Sequence, residues 1–267
     1  MRPIWIPSIL AFLLTTATAQ TTAPTSGHAT KDPQAVTILN ASLNASGGLA
    51  AISSIQDFTE TGNITYYWAG EQVQGSVTVR GMGVNNFRVD SSLSSGTRTW
   101  AVSGYGGVLI TPDGQRHGSA FYNLMTAGSM TLPQIRVAAA VSDTSTAISY
   151  AGLVTVHGQQ VYQIHFSPSV SVPVPANTIS SLSNLGSFDV YIDPTTSLIV
   201  RLTETVRSES DIRVTYEHEI EFTNYQPAGT VTAPLTITEK IAGQETWSMA
   251  LSEMTFNSGL TSATFTP

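Results

Sequence analysis

The chain has 267 residues, of which 41% are hydrophobic and only 11% are charged, and its formal net charge is −7. An average soluble domain has about 25% charged residues, so Ser, Thr, Asn and Gln must supply most of the polar surface here. The chain is acidic and has lysine only at Lys31 and Lys240. This composition argues against a basic surface that would bind nucleic acids or anionic lipid headgroups.

Residues 1–19 predict a secretory signal peptide. Arg2 precedes the apolar run Ile9–Leu14, and Ala17–Ala19 has the small-x-small pattern of a cleavage site before Gln20. The apolar run is too short to cross a hydrocarbon layer of about 30 Å, which favours cleavage over a retained anchor. We therefore expect an exported protein. Because the chain has no cysteine, it can have neither disulfides nor a lipid attached through an N-terminal cysteine.

The next segment, 20–32, has no periodic apolar pattern and is expected to form a flexible leader. Pro33 then begins a helix with one apolar face, and Gly47-Gly48 is a natural stop for it. The apolar-face positions are Ala35, Ile38, Leu39, Ser42 and Leu43. A second, short helix is expected directly after the two glycines.

From Phe58 onward, runs rich in Thr, Val, Tyr and Trp alternate with short turn signals. This pattern is typical of an antiparallel β-meander, and it predicts about eleven strands. An apolar segment, 133–141, interrupts the meander and begins with Pro133, which predicts a central helical insert. Residues 167–186 contain three prolines and predict a long loop. Residues 33–267 are expected to form a single domain.

Most of the predicted strands have one apolar and one polar face. A long antiparallel sheet of this kind must curl or be covered on its apolar side. The expected fold is therefore mainly β, a single curved antiparallel sheet that forms an unclosed barrel covered by the N-terminal helix and the central insert. Its enclosed space would suit a hydrophobic ligand, although each aromatic or Met side chain there also fits ordinary packing. The candidate lining residues are Tyr66, Trp68, Trp100, Phe121, Tyr122, Met125, Phe166, Trp247 and Met249.

The stretch TYEHEIEFTNY, 215–225, has the residue types of a metal site. Side chains on a strand alternate between faces, so Glu217, Glu219 and Glu221 share one face and His218 points to the other. The sequence therefore favours an acidic outer face over a metal site, and no metal or cofactor is expected. His218 is left on an apolar wall, where we expect a hydrogen bond to satisfy it.

The sequence has no G-x-S-x-G elbow and no glycine-rich phosphate loop before a helix. His157 and His165 have no metal-ligand spacing unless Gly158 forms a turn between them. We therefore do not expect an enzyme. A hydrolase with a dispersed site would require His165 or His218 to meet a carboxylate in an open cleft.

Three segments together resemble a known family. They are 75–90 (GSVTVRGMGVNNFRVD), 188–202 (FDVYIDPTTSLIVRL) and the C-terminal run from Glu219 to Pro267. Their order and spacing are similar to those of periplasmic outer-membrane lipoprotein carriers of the Lol type. The resemblance implies an incomplete barrel with helices at its mouth and a periplasmic location. It also implies a lipid or acyl-chain ligand, a membrane-bound donor or acceptor protein, and a monomer.

In these carriers, a basic residue that ends an early strand contacts the helical lid. The matching position is Arg80, or Arg88 if the register differs, and Gly81 stands where the carriers usually have proline. The alternative function is a non-catalytic protein-interaction or sensor module of the same fold, with a filled interior.

Overall fold

The computed structural model describes residues 29–68, 70–104, 106–124, 130–168 and 185–266. The predicted signal peptide, residues 20–28 of the leader, Met125 and most of the predicted loop lie outside this part of the chain. The α-helices are α1 (Pro33–Ala45), α2 (Leu49–Ser53) and α3 (Pro133–Ser142), and 3₁₀ helices span Phe121–Asn123 and Ser262–Phe265. No described helix has the length and hydropathy needed to span a membrane.

The first meander consists of β1 (Asp57–Trp68), β2 (Glu71–Met82), β3 (Asn86–Leu93), β4 (Gly96–Ser103), β5 (Gly106–Ile110) and β6 (Arg116–Ser119). The second consists of β7 (Thr146–Val156), β8 (Gln159–Pro168), β9 (Phe188–Ile192), β10 (Ile199–Arg207), β11 (Thr215–Ala228), β12 (Val231–Ile241) and β13 (Gln244–Phe256).

All thirteen strands form one antiparallel sheet in the order β6-β5-β4-β3-β2-β1-β13-β12-β11-β10-β9-β8-β7. The two meanders meet where β1 pairs with β13. Strands β6 and β7 are consecutive in the chain but lie at opposite edges of the sheet, so the segment that contains α3 connects the two edges. The predicted open antiparallel sheet with few helices is confirmed. The predicted number of strands was too low by two, because β5 starts with two glycines and β6 has only four residues, and neither shows an alternating pattern.

The sheet is strongly curved. Trp100 in β4 and Tyr216 in β11 line the same pocket, although five strands lie between them. On a flat sheet, six inter-strand spacings of about 4.8 Å would separate these strands by about 29 Å. The sheet must therefore bend around the pocket, which gives it a concave and a convex face.

Helix α1 forms as the sequence predicts and packs on the concave face. Pro33 occupies its first turn, and the Asp32 carboxylate caps it by accepting a hydrogen bond from the Gln34 backbone N–H at 2.7 Å. Its buried residues are Ala35, Leu39, Ser42 and Leu43. Gly47 ends the helix with φ +115°, and a Cβ there would lie 2.6 Å from the Thr230 carbonyl oxygen, so only glycine fits.

The last residues of the predicted leader are attached to the sheet. Lys31 forms a parallel bridge with Ile148 of β7. The Asp32 N–H donates to the Ile148 carbonyl at 2.8 Å, and the Ile148 N–H donates to the Thr30 carbonyl at 3.0 Å. Residues 30–32 therefore cover part of edge strand β7, which leaves fewer of its backbone groups open to pairing with other chains.

Candidate functional site

An open pocket of about 340 Å³ lies on the concave face. Apolar groups from four parts of the chain form its walls: Trp100 of β4, Met130 before α3, Val206 of β10 and Ile241 of β12, with Tyr216 of β11 at the exposed side. Its volume is at the lower end of the range of small-molecule sites, about 300–1,000 Å³. The curvature of the sheet brings these distant strands together.

Four ionisable groups form a buried charged cluster at the inner end of this pocket. His218 donates one ring N–H to Glu204 at 2.8 Å and the other to Glu239 at 2.9 Å. Arg136 of α3 donates to the second oxygen of Glu204 at 3.3 Å. Thr246 donates its hydroxyl to Glu239. Two cations and two carboxylates therefore balance one another, which is what burial of charge requires.

The charged cluster keeps His218 protonated. Burial lowers the pKa of the imidazolium, but the hydrogen bonds and charges of Glu204 and Glu239 outweigh burial and raise the pKa to about 10. Arg136 also lies 3.7 Å above the centroid of the Phe188 ring, so its guanidinium joins the helix to the sheet by a cation–π contact. The charged cluster thus fixes α3 against β10, β11 and β12.

The sequence contains a pattern that indicates this charged cluster. Glu204 lies between Leu202 and Val206 on the apolar face of β10, and Glu239 lies between Ile237 and Ile241 on that of β12. Only His218 was identified as a polar group on an apolar wall. Ionisable residues at inward positions of three neighbouring strands would have predicted a shared charged cluster, but the pairing of those strands was needed to see it.

Glu60 of β1 is a second buried ionisable group. Its side chain is fully buried, and neither carboxyl oxygen has a hydrogen-bond partner of normal geometry in the described part of the chain. Burial raises its pKa to about 8, and the nearby Thr131 hydroxyl lowers the pKa only in small part. Burial therefore favours the protonated, neutral form of Glu60 at pH 7.

Of the predicted lining residues whose side chains the structure describes, Trp100 is the one that lines the 340 Å³ pocket. Tyr66, Phe166 and Met249 are almost completely buried, and Trp247 is 9% exposed, so these four pack in the core of the concave face. These placements show that part of the interior is filled. Which of these groups touch a ligand stays a prediction.

The other candidate lining residues are elsewhere. Trp68 is 39% exposed and stacks on Tyr66 at a centroid distance of 4.9 Å near the end of β1. The Tyr122 hydroxyl donates to the Ser208 carbonyl at 3.0 Å. The Phe121 side chain and Met125 lie outside the described part of the structure.

Arg80 and Arg88 lie on the convex face, because they alternate with the buried Val79 and Val89 of the concave side. Both donate to the Asp90 carboxylate at 2.8 Å. Arg88 also donates to the Thr264 carbonyl at 3.0 Å. Arg88 thus contacts the C-terminal 3₁₀ helix, and no hydrogen bond given for either arginine in the described residues reaches α1, α2 or α3. The lid contact that the resemblance implied therefore has no support in this geometry.

The acidic face of β11 is on the convex side, as predicted, and His218 points away from it. Arg201 and Lys240 pair with Glu219, and Lys240 also lies 2.8 Å from Glu221. His157 Nε2 is 3.2 Å from the Glu221 carboxylate. The side chains of His157, Glu219 and Glu221 are close enough to bind one metal ion. However, Arg201 and Lys240 already neutralise the two carboxylates.

A larger open pocket, of about 630 Å³, contains His165 and Asp189, with 2.9 Å between His165 Nδ1 and the carboxylate. The hydrogen bond that the Asp189 carboxylate accepts raises the pKa of His165. This is the convergence that a dispersed hydrolase site would require. Among the described residues, however, no hydroxyl group is hydrogen-bonded to either His165 or His218, so no nucleophile is positioned beside a base.

No family model and no curated protein matches this sequence. Two solved structures align over nearly their whole length. A domain assigned to outer membrane lipoprotein sorting, from Vibrio parahaemolyticus, is 11% identical, with a TM-score of 0.52 over 87% of this chain and 96% of that one. A LolA superfamily protein from Nitrosomonas europaea is 12% identical, with a TM-score of 0.52 over 87% of this chain and 97% of that one.

This chain has the same fold as these two structures. The alignments cover 87% of this chain and nearly all of each solved structure. The resemblance predicted from the sequence is confirmed at the level of fold. At 11–12% identity, the likeness assigns no functional role to any individual residue of this chain.

Proposed function

We propose that this protein is an exported, periplasmic binding or carrier protein, which holds a lipid, the acyl chain of an acylated protein or another hydrophobic ligand. The open pocket with apolar walls on the concave face of a LolA-type half-barrel is the observation that carries the proposal. The names of the structural neighbours, which refer to lipoprotein sorting and to LolA, also support it.

The chemistry of the pocket favours binding over catalysis. A ligand that buries roughly 200 Å² of apolar surface gains about 5 kcal/mol at about 25 cal/mol per Å², before the costs of association. The charged groups at the inner end, Glu204, His218, Glu239 and Arg136, are already hydrogen-bonded within the charged cluster. Because the pocket is open, a membrane-bound donor or acceptor protein could deliver or remove the ligand without unfolding of the sheet.

Filling the pocket is expected to weaken ligand binding. Val206→Trp places an indole in the 340 Å³ pocket, and we expect it to weaken binding of a fluorescent fatty acid at least tenfold. Leu153→Trp, at a position 47% exposed on β7 and away from the pocket, is the matched control and should bind as the wild type does. Equal affinity of the two variants would show that the ligand site is elsewhere.

A co-purified ligand would identify the natural cargo. Native mass spectrometry of protein from an exported fraction is expected to show an added mass that organic solvent removes. Ligand-free protein that also fails to bind the fluorescent fatty acid at micromolar concentration would contradict the proposed function.

Export makes a separate prediction. The mature protein is expected to begin at Gln20, after cleavage behind Ala19. N-terminal sequencing of protein from the exported fraction measures this directly. A protein that retains Met1 and stays in the cytoplasm would contradict the proposed location while leaving the binding proposal intact.

The packed part of the interior favours a second candidate, a non-catalytic interaction or sensor module. Tyr66, Phe166 and Met249 fill space that a long acyl chain would need. Such a module would bind no fatty acid in the assay above, and Val206→Trp would not change the measured binding.

A further inference from the structure

The hairpin formed by β10 and β11 projects beyond its neighbouring strands. The pairing of β10 with β9 stops at Glu204, and the pairing of β11 with β12 starts at His218. The ladder between β10 and β11 continues past both, through the pair of Val206 with Tyr216 and one pair beyond it. Residues 205–217 therefore form a two-stranded ribbon, and no strand in the described chain pairs with its outer edges.

One face of this ribbon is apolar and continues a wall of the 340 Å³ pocket. Val206 and Tyr216 are paired, and both line that pocket. Val214 precedes Tyr216 by two residues, so it lies on the same face, about 7 Å nearer the tip of the hairpin. The Ser208 N–H donates to the Val214 carbonyl at 2.9 Å, which extends the ladder by one more bond. Ile212 follows in the turn, so the apolar wall continues from the pocket toward the tip.

The apolar side chains of the ribbon are exposed. Tyr216 and Val214 are each 41% exposed, and Ile212 is 48% exposed. The described part of the chain exposes six large apolar side chains, and these three lie within five consecutive residues. Single exposed apolar residues need no explanation, but a cluster that continues a pocket indicates contact with an apolar partner.

The segment that follows β6 holds the ribbon in place. The Asn123 side chain accepts a hydrogen bond from the Arg207 N–H at 2.8 Å and donates one to the Arg207 carbonyl at 2.7 Å. The Tyr122 hydroxyl donates to the Ser208 carbonyl at 3.0 Å. Two strands alone are only marginally stable. These bonds therefore keep the apolar face in position beside the pocket before any ligand arrives.

The interior leaves little room for a ligand to extend inward. The charged cluster lies at the inner end of the pocket, and Tyr66, Phe166 and Met249 are packed in the core. The pocket itself is at the lower end of the range of small-molecule sites. A chain longer than the pocket therefore gains further apolar contact only by extending outward, along the ribbon.

We propose that Tyr216, Val214 and Ile212 form the outer half of the ligand site, and that the ligand is a linear acyl chain longer than the pocket. The inference rests on the proposed function and specifies its ligand class. A long chain buries apolar surface of the ribbon that a compact apolar molecule in the pocket does not reach. Val214 and Ile212 are then the residues that determine the preference for chain length.

The test compares a ten-carbon and a sixteen-carbon fatty acid by isothermal titration calorimetry on the full mature chain. We expect the wild type to bind the longer acid about tenfold more tightly or better. Combining Ile212→Ser with Val214→Ser should remove about tenfold of affinity for the longer acid and leave the shorter one unchanged. The matched control combines Leu49→Ser with Leu153→Ser, at exposed apolar positions outside the ribbon and the pocket, and should change neither affinity.

A second measurement detects the contact directly. Because the chain has no cysteine, Val214→Cys provides a single site for a polarity-sensitive dye. We expect the emission of this dye to move to shorter wavelength with the sixteen-carbon acid and to stay unchanged with the ten-carbon acid. The same dye on Leu153→Cys should respond to neither.

The outcomes separate this inference from the proposed function. If the ribbon substitutions change neither affinity, or change both equally, the ribbon does not select for chain length and the inference is wrong, while the pocket remains the ligand site. An unchanged dye at position 214 in protein that has bound the sixteen-carbon acid would also overturn it. If neither acid binds the wild type, the proposed function itself fails.

Discussion

Replacing Glu60 with glutamine is expected to stabilise the protein at neutral pH, by an amount that grows between about pH 5 and pH 8. The wild-type carboxyl is fully buried without a partner, and burial raises its pKa to about 8 from an ordinary value of 4.5. A glutamine has nearly the same shape and cannot ionise. The variant therefore removes the ionisation that favours the unfolded chain.

The direction follows from proton binding. Between pH 4.5 and about 8, the unfolded chain has lost the Glu60 proton while the folded protein keeps it. The unfolded state then binds fewer protons, so the free energy of unfolding falls as pH rises. The slope is at most about 1.4 kcal/mol per pH unit, which gives an upper limit of about 3 kcal/mol at pH 7. Below pH 4.5, both states are protonated and this contribution is constant.

Urea denaturation of the wild type and Glu60→Gln at pH 5, 6, 7 and 8 measures this difference. Glu253→Gln, at an exposed position of β13, is the control and should follow the wild type. Two parallel curves for wild type and Glu60→Gln would show that Glu60 is ionised in the folded protein.

Local pattern was sufficient for most of the secondary structure. Period-two alternation placed His218 opposite Glu217, Glu219 and Glu221, and the spacing of apolar residues defined α1. These features depend only on residues that are close together in the chain, so they can be predicted from a single sequence. The sequence also predicted an open, curved sheet. Two short helices cannot cover the apolar faces of so many strands unless the sheet curves around them.

The site depends on contacts that no local pattern encodes. Trp100 and Ile241 meet because the sheet bends, and Arg136 reaches Glu204 because the α3 segment crosses from one edge of the sheet to the other. In the sequence, Arg136 is a single charge in an apolar helix, which resembles a solvent-exposed position. Tyr66 and Trp100 look alike in sequence, but Tyr66 is buried in the core and Trp100 lines the pocket.

Glu60 and the charged cluster act in the same direction. Both make the folded protein bind more protons than the unfolded chain over part of the range from pH 4.5 to 10. Since stability then falls as pH rises, we expect these two sites to favour a mildly acidic optimum.

His218→Gln is expected to lower the free energy of unfolding by about 3–5 kcal/mol at pH 7, because it leaves Glu204 and Glu239 buried with one cation fewer. The pH dependence gives the mechanism. The folded pKa of about 10 lies above the ordinary value of 6.5. The contribution of His218 is therefore complete below pH 6.5 and is lost as pH rises through 10.

The difference between wild type and His218→Gln should consequently shrink between pH 7 and pH 10, and chemical denaturation at four pH values across this range measures it. His157→Gln, at an exposed histidine in the β7–β8 turn, changes the same residue type outside the charged cluster and should cost less than about 0.5 kcal/mol. A constant difference for His218→Gln would mean that the loss arises from packing alone. A shrinking difference would show that a protonated imidazole between two buried carboxylates holds β10, β11 and β12 around the inner end of the pocket.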